Sequence, residues 1–68
     1  MKKAKVGDTL YWYSPNENKV LSGKVIRVDK NEYIIDSKNT DGTMWTIRDY
    51  RTSKRKNIEY LKKLLYYA

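Results

Sequence analysis

Sixty-eight residues leave room for one small domain, and 15 Lys+Arg against 8 Asp+Glu give it a formal charge of +7. The chain has no Cys and no His, which removes disulfides, thiolate or imidazole metal sites, and all Ser–His or Cys–His catalysis. A domain this short buries only about 60% of the surface its unfolded chain exposes. With 40% apolar residues, it can hardly spare packing for a deep substrate cavity. The expectation is a binding surface rather than an enzyme, with no cofactor and no metal.

Met1-Lys2-Lys3 is basic like the start of an export signal, but Ala4-Lys5-Val6-Gly7-Asp8 follows where an apolar stretch should begin. The longest apolar runs, Leu10 to Tyr13 and Leu64 to Ala68, are far too short to span a bilayer. A cytoplasmic protein that stays out of membranes is expected, with residues 1–5 as a basic tail. Lys, Asn, Tyr and Ile are plentiful, and their A/T-rich codons suggest an A/T-rich genome.

Val6 to Tyr13 starts at a Gly-Asp turn and runs into β-branched and aromatic residues, which predicts a strand. Alternation puts Leu10 and Trp12 on one face, Tyr11 and Tyr13 on the other. Ser14-Pro15-Asn16-Glu17-Asn18 is a loop, since Pro cannot donate to a ladder and Asn favours turns. Val20 to Asp29 is a second strand, with Gly23 marking a bulge or a close backbone approach. Lys30-Asn31 is a tight connection to a third strand, Glu32 to Asp36. Asn39-Thr40-Asp41-Gly42 is a hairpin turn. Thr43 to Arg48 alternates, with Trp45 and Ile47 inward and Met44, Thr46 and Arg48 outward.

The period then changes. Ile58, Leu61, Leu64 and Leu65 are spaced three and four apart, one stripe of a helix, for which Thr52 or Ser53 is a suitable N-cap. The predicted fold is mainly β: four to five antiparallel strands over residues 6–51 in a small bent barrel, capped by an amphipathic helix over 52–68.

Val6-Gly7-Asp8-x-Leu10, Ser22-Gly23-Lys24-Val25-x-x-Val28 and Asp41-Gly42-x-x-Trp45 together resemble the SH3-like small barrels. That group includes KOW and Tudor-type modules and short phage and mobile-element proteins. The resemblance covers roughly residues 5–50, and a helix after the barrel is a feature of the phage-type members. Gly23-x-Val25-x-x-Val28 resembles the bulged strand of KOW-type barrels, which implies nucleic acid or ribosomal partners. No aromatic cage of the Tudor pattern is present, so methyl-lysine or methyl-arginine reading is not implied.

Residues 48–63 hold seven basic side chains against Asp49 and Glu59. If the helix starts near Ser53, Lys54, Arg55 and Lys56 occupy its first turn, where each cation is disfavoured by about 0.3–1 kcal/mol. A phosphate would relieve that conflict. The competing account is that these residues simply keep a small protein soluble. Arg48, Arg51, Lys54, Arg55 and Lys56 are thus the candidate phosphate contacts, with Lys24 and Arg27 on the second strand. Tyr11 and Tyr13 are candidate base-stacking groups, unless the helix covers them as core. Glu17 is the loop's one acid, too little for proline-rich recognition.

Asp8, Asp29, Asp36 and Asp41 fall at turns or strand ends, where carboxylates cap backbone rather than catalyse. The expected function is largely sequence-independent binding of DNA or RNA by a monomer or weak homodimer. The alternative is a phage or mobile-element protein that binds a host protein through its helix and the apolar end formed by Tyr60, Leu64, Tyr66, Tyr67 and Ala68, with Leu64, Tyr66 and Tyr67 as the contact.

Overall fold

The computed structural model describes residues 4–67, with the backbone alone for Tyr66 and Tyr67. Four strands come first, β1 (Thr9–Ser14), β2 (Lys19–Val28), β3 (Glu32–Lys38) and β4 (Met44–Arg48). A 3-10 turn over Asp49–Arg51 and a helix, α1 (Ile58–Tyr67), follow. The strands pair in the order β1-β2-β3-β4, all antiparallel, and the sheet curls into a half-barrel. The mainly β fold with one C-terminal helix is as expected. Among the described residues, no helix is long and apolar enough to cross a membrane.

Local chemistry sets the turns. Asn18 ends the first loop at φ 52, a left-handed conformation that Asn tolerates better than most residues. In the third connection Gly42 sits at φ 89, its N–H bonded to the Asn39 carbonyl at 3.0 Å. The Asp41 carboxylate accepts from both the N–H and the hydroxyl of Thr43. Those two bonds, the hydroxyl's the larger effect, hold the Asp41 carboxyl below the ordinary aspartate range.

Alternation makes the core. Leu10, Trp12, Val25, Tyr33, Ile35 and Ile47 turn to the concave face, with Ala4 added from the chain's beginning and Leu21 and Trp45 packed at the margin. The Trp12 and Trp45 rings lie 6.1 Å apart at 40°, a tilted arrangement favoured by ring quadrupoles. Ile35, at the centre, is fully buried, and Gly23 faces it across the sheet. A Cβ on Gly23 would run into Ile35 Cγ2 and stand 3.3 Å from Trp12. Gly23 is therefore a close approach, and the bulge lies further along, between Val25 and Arg27, where the register shifts against β3. The inserted residue, Ile26, is 42% exposed.

After β4 the 3-10 turn swings the chain back to β1. Ser53 and Tyr11 exchange both backbone hydrogen bonds, at 2.8 and 3.0 Å, in an isolated bridge. That bridge stands where a fifth strand was an option. The chain then reaches α1, which packs on β1. Leu61 is 1% exposed, and Lys62 places its ammonium 5.3 Å from the Tyr13 ring centroid.

Two predicted boundaries are corrected. The basic tail was expected over residues 1–5, but Ala4 is a core residue whose N–H donates to the Tyr33 hydroxyl at 3.1 Å. Met1–Lys3 lie outside the described residues. The helix was expected from residue 52, but it begins at Ile58. Thr52 and Ser53 are engaged elsewhere: the buried Thr52 hydroxyl donates to the Asp49 carbonyl, and Ser53 makes the bridge to Tyr11. The cap is Asn57, whose Oδ1 accepts from the Tyr60 N–H at 3.1 Å and whose carbonyl takes the Leu61 N–H at 2.9 Å.

Candidate nucleic-acid interface

Lys54, Arg55 and Lys56 lie in the irregular link between the β bridge and the helix, outside any helical turn. The expected conflict with a helix dipole is therefore absent. The first turn of α1 carries an acid, Glu59, as the dipole favours. Lys54 is also partnered, its ammonium 3.3 Å from Asp8 Oδ2. Both grounds for reading a phosphate-shaped gap at a helix N-terminus are gone.

What replaces them is a fastened strap. Ser53 Oγ accepts from the Arg55 N–H at 3.1 Å, a short turn closed by a hydroxyl. On the far side, Asp8 is fixed by the Lys5 N–H at 2.8 Å. That hydrogen bond first, and the Lys54 ammonium second, hold the Asp8 carboxyl below the ordinary aspartate range. Arg55 and Lys56 are exposed, and neither makes an ion pair among the described residues. Anchored at Ser53 and Asn57, the strap presents two cations outward.

The remaining sequence candidates do not join this pair as one continuous patch. Arg48 is exposed opposite Glu32 in the β3–β4 ladder and borders a small recess with Asp29 and Glu32, so acids stand close to it. Arg27 lies 3.8 Å from Asp29, both side chains well exposed, a contact worth little in water. Arg51 is half-buried, and its Nε is enclosed without a hydrogen-bond partner among the described residues. Lys24 is exposed on β2 beside Thr9.

The two stacking candidates fare differently. Tyr13 is 7% exposed; its hydroxyl donates to Asn18 Oδ1, and Lys62 stands over its ring. Covered in this way, Tyr13 offers no face to a base, contrary to the expectation from sequence. Tyr11 is half-buried, its backbone tied to Ser53. The open tyrosines among the described side chains are Tyr50 and Tyr60, at 41% and 43% exposure, and they flank the strap in sequence. Sequence alone did not single them out for this role. A signal did exist: Asn57-Ile58-Glu59 is a cap followed by a first-turn acid, which sets the helix start and turns Tyr60 away from the buried Leu61 stripe.

Between the strap and the open end of the half-barrel lies a cleft of about 580 Å³. Buried Ala4, Leu10 and Tyr33 form its floor, and Asp49, Lys54, Arg55, Asn57 and Tyr60 stand around it. Among the described residues, no cluster of acids could hold a metal ion. No family model, curated protein or solved structure matches this chain.

Proposed function

We propose that the protein is an SH3-like barrel that binds nucleic acid without catalysis and largely without regard to sequence. Arg55 and Lys56 are its principal phosphate contacts. The observation that carries this reading is the pair of exposed cations without an ion pair among the described residues, on a strap anchored at both ends, in a chain of net charge +7. Cations on an anchored backbone lose less freedom on meeting a phosphate than cations on a loose tail. Their phosphate contacts release counterions, which is the main source of sequence-independent affinity. Lys24, Arg27 and Arg48 contribute at longer range through the overall field.

The test is binding of mixed-sequence oligonucleotides across a salt series. Affinity is expected to fall linearly on a log–log plot, by about 0.9 per phosphate contact on duplex DNA and about 0.7 on single strands. Arg55→Glu with Lys56→Glu should flatten the slope by about two contacts while leaving the melting temperature nearly unchanged, because both side chains are exposed. No binding at low salt, or binding indifferent to salt, would overturn the reading. The second outcome would favour a protein partner on the helix.

A further inference from the structure

From the cleft beneath the strap we infer a specific mode of engagement: it receives one unstacked base of a single strand, favouring cytosine and adenine. This rests on the nucleic-acid reading above and narrows it to single strands. The cleft volume, about 580 Å³, falls within the range of small-ligand sites, about 300–1,000 Å³. Its lining is graded in the order a nucleotide requires. Leu10 and Tyr33 are buried, Asp49 is half-buried, and the Tyr60 ring and Arg55 are exposed.

Tyr60 supplies the stacking surface. It projects from the first turn of a helix whose cap, Asn57, bonds directly to the Tyr60 N–H, so the ring is carried on a fixed backbone. An aromatic face so held stacks any base. A base inside a duplex is already stacked and paired and would have to be extruded first, at a cost of a few kcal/mol.

Asp49 supplies the preference. It is half-buried and lines the cleft, yet its carboxylate makes no hydrogen bond or ion pair among the described residues. Its backbone is fixed, the N–H donating to Asn31 and the carbonyl accepting from Thr52. A carboxylate so placed repels phosphate and accepts N–H donors. Cytosine at C4 and adenine at C6 present an amino group, where thymine and guanine present a carbonyl. The phosphate then falls at Arg55, outside, and the amino edge inside.

The experiment measures affinities of the full-length chain for oligo-dC, oligo-dA, oligo-dT and a mixed duplex of equal length at one low salt concentration. The expected order places oligo-dC and oligo-dA about tenfold tighter than oligo-dT, with the duplex weakest. Asp49→Asn should erase the dC/dT difference while leaving oligo-dT within about twofold. Tyr60→Leu, which keeps an apolar helix former, should weaken every single strand by about tenfold; Tyr60→Phe should restore binding. Melting temperatures within a few degrees of wild type qualify each variant. A duplex bound as well as the single strands, with Arg55→Glu still disruptive, would overturn the cleft inference and leave the phosphate reading intact. Equal affinity for oligo-dC and oligo-dT would remove the role of Asp49. No binding to any oligonucleotide would sink both readings together.

Discussion

On the concave face of the sheet, Leu10, Val25 and Ile35 are held by contact alone: each is almost fully buried, and none has a polar side-chain atom. In the strap from Thr52 to Asn57 the position is reversed. Little apolar surface is buried there, and the backbone is fixed by the Thr52 and Ser53 hydroxyls, the Tyr11 bridge, the Asp8–Lys54 pair and the Asn57 cap. The first region is intolerant of shape and indifferent to charge; the second should tolerate shape and respond to charge and pH. A binding surface fits the second kind of region, because its side chains need not be buried for its backbone to be held.

The sharpest way to break the first region is a cycle of two substitutions. Ile35→Ala should cost about 2–5 kcal/mol in chemical denaturation. Gly23→Ala should cost about 1–3 kcal/mol by overpacking against Ile35 Cγ2. Combined, they should cost clearly less than their sum, since Ile35→Ala removes the atom the new methyl meets. A strictly additive result would mean that the close approach of β2 to β3 is not the source of the Gly23 effect.

The strap should yield in smaller steps. Asn57→Ala removes a helix cap and should cost about 1 kcal/mol, while Asn57→Ser or Asn57→Asp should recover most of it. If Ser53→Ala cost more through the helix signal in circular dichroism than Asn57→Ala, the helix start would have to be moved back toward Ser53.

The smallest effect is that of acid. Asp8 and Asp41 both have carboxyls held below the ordinary aspartate range. The folded state therefore binds their protons less readily than the unfolded chain does. Their contribution is present at neutral pH and is lost as pH falls below about 4. Thermal stability should be level from pH 7 to about 5 and then decline. Asp8→Asn and Asp41→Asn should each lower the plateau slightly and soften the decline. A decline unchanged in both variants would place the acid sensitivity elsewhere.

The sheet was legible in the sequence because alternation and turn chemistry are local signals that agree with each other. Leu10/Trp12 and Trp45/Ile47 mark inward faces, and Asp41-Gly42 marks the turn between the last two strands. Gly23 was legible as an anomaly, though only the packed neighbours Ile35 and Trp12 reveal which of its two meanings holds. The helix start is not legible because Thr52 and Ser53 are good caps in isolation, and nothing local says that the 3-10 turn will engage Thr52 and a distant strand the Ser53 backbone. The same long-range event puts three cations outside the helix, while Asn18 and, from the docked helix, Lys62 cover Tyr13. Exposure of Tyr50 and Tyr60 likewise depends on where the helix docks, which no local pattern encodes.

The bridge between Tyr11 and Ser53 is a seam of a single residue pair. Beyond it, strap and helix are held to the meander by the bridge's two backbone hydrogen bonds, the Asp8–Lys54 pair, the Lys62–Tyr13 contact and the docked Leu61, and parting them from it leaves the β1/β2, β2/β3 and β3/β4 ladders whole. Such a partial opening belongs to the low-energy end of native fluctuations. A strand of nucleic acid laid across strap and barrel would clamp that hinge shut, so occupancy and closure would reinforce each other.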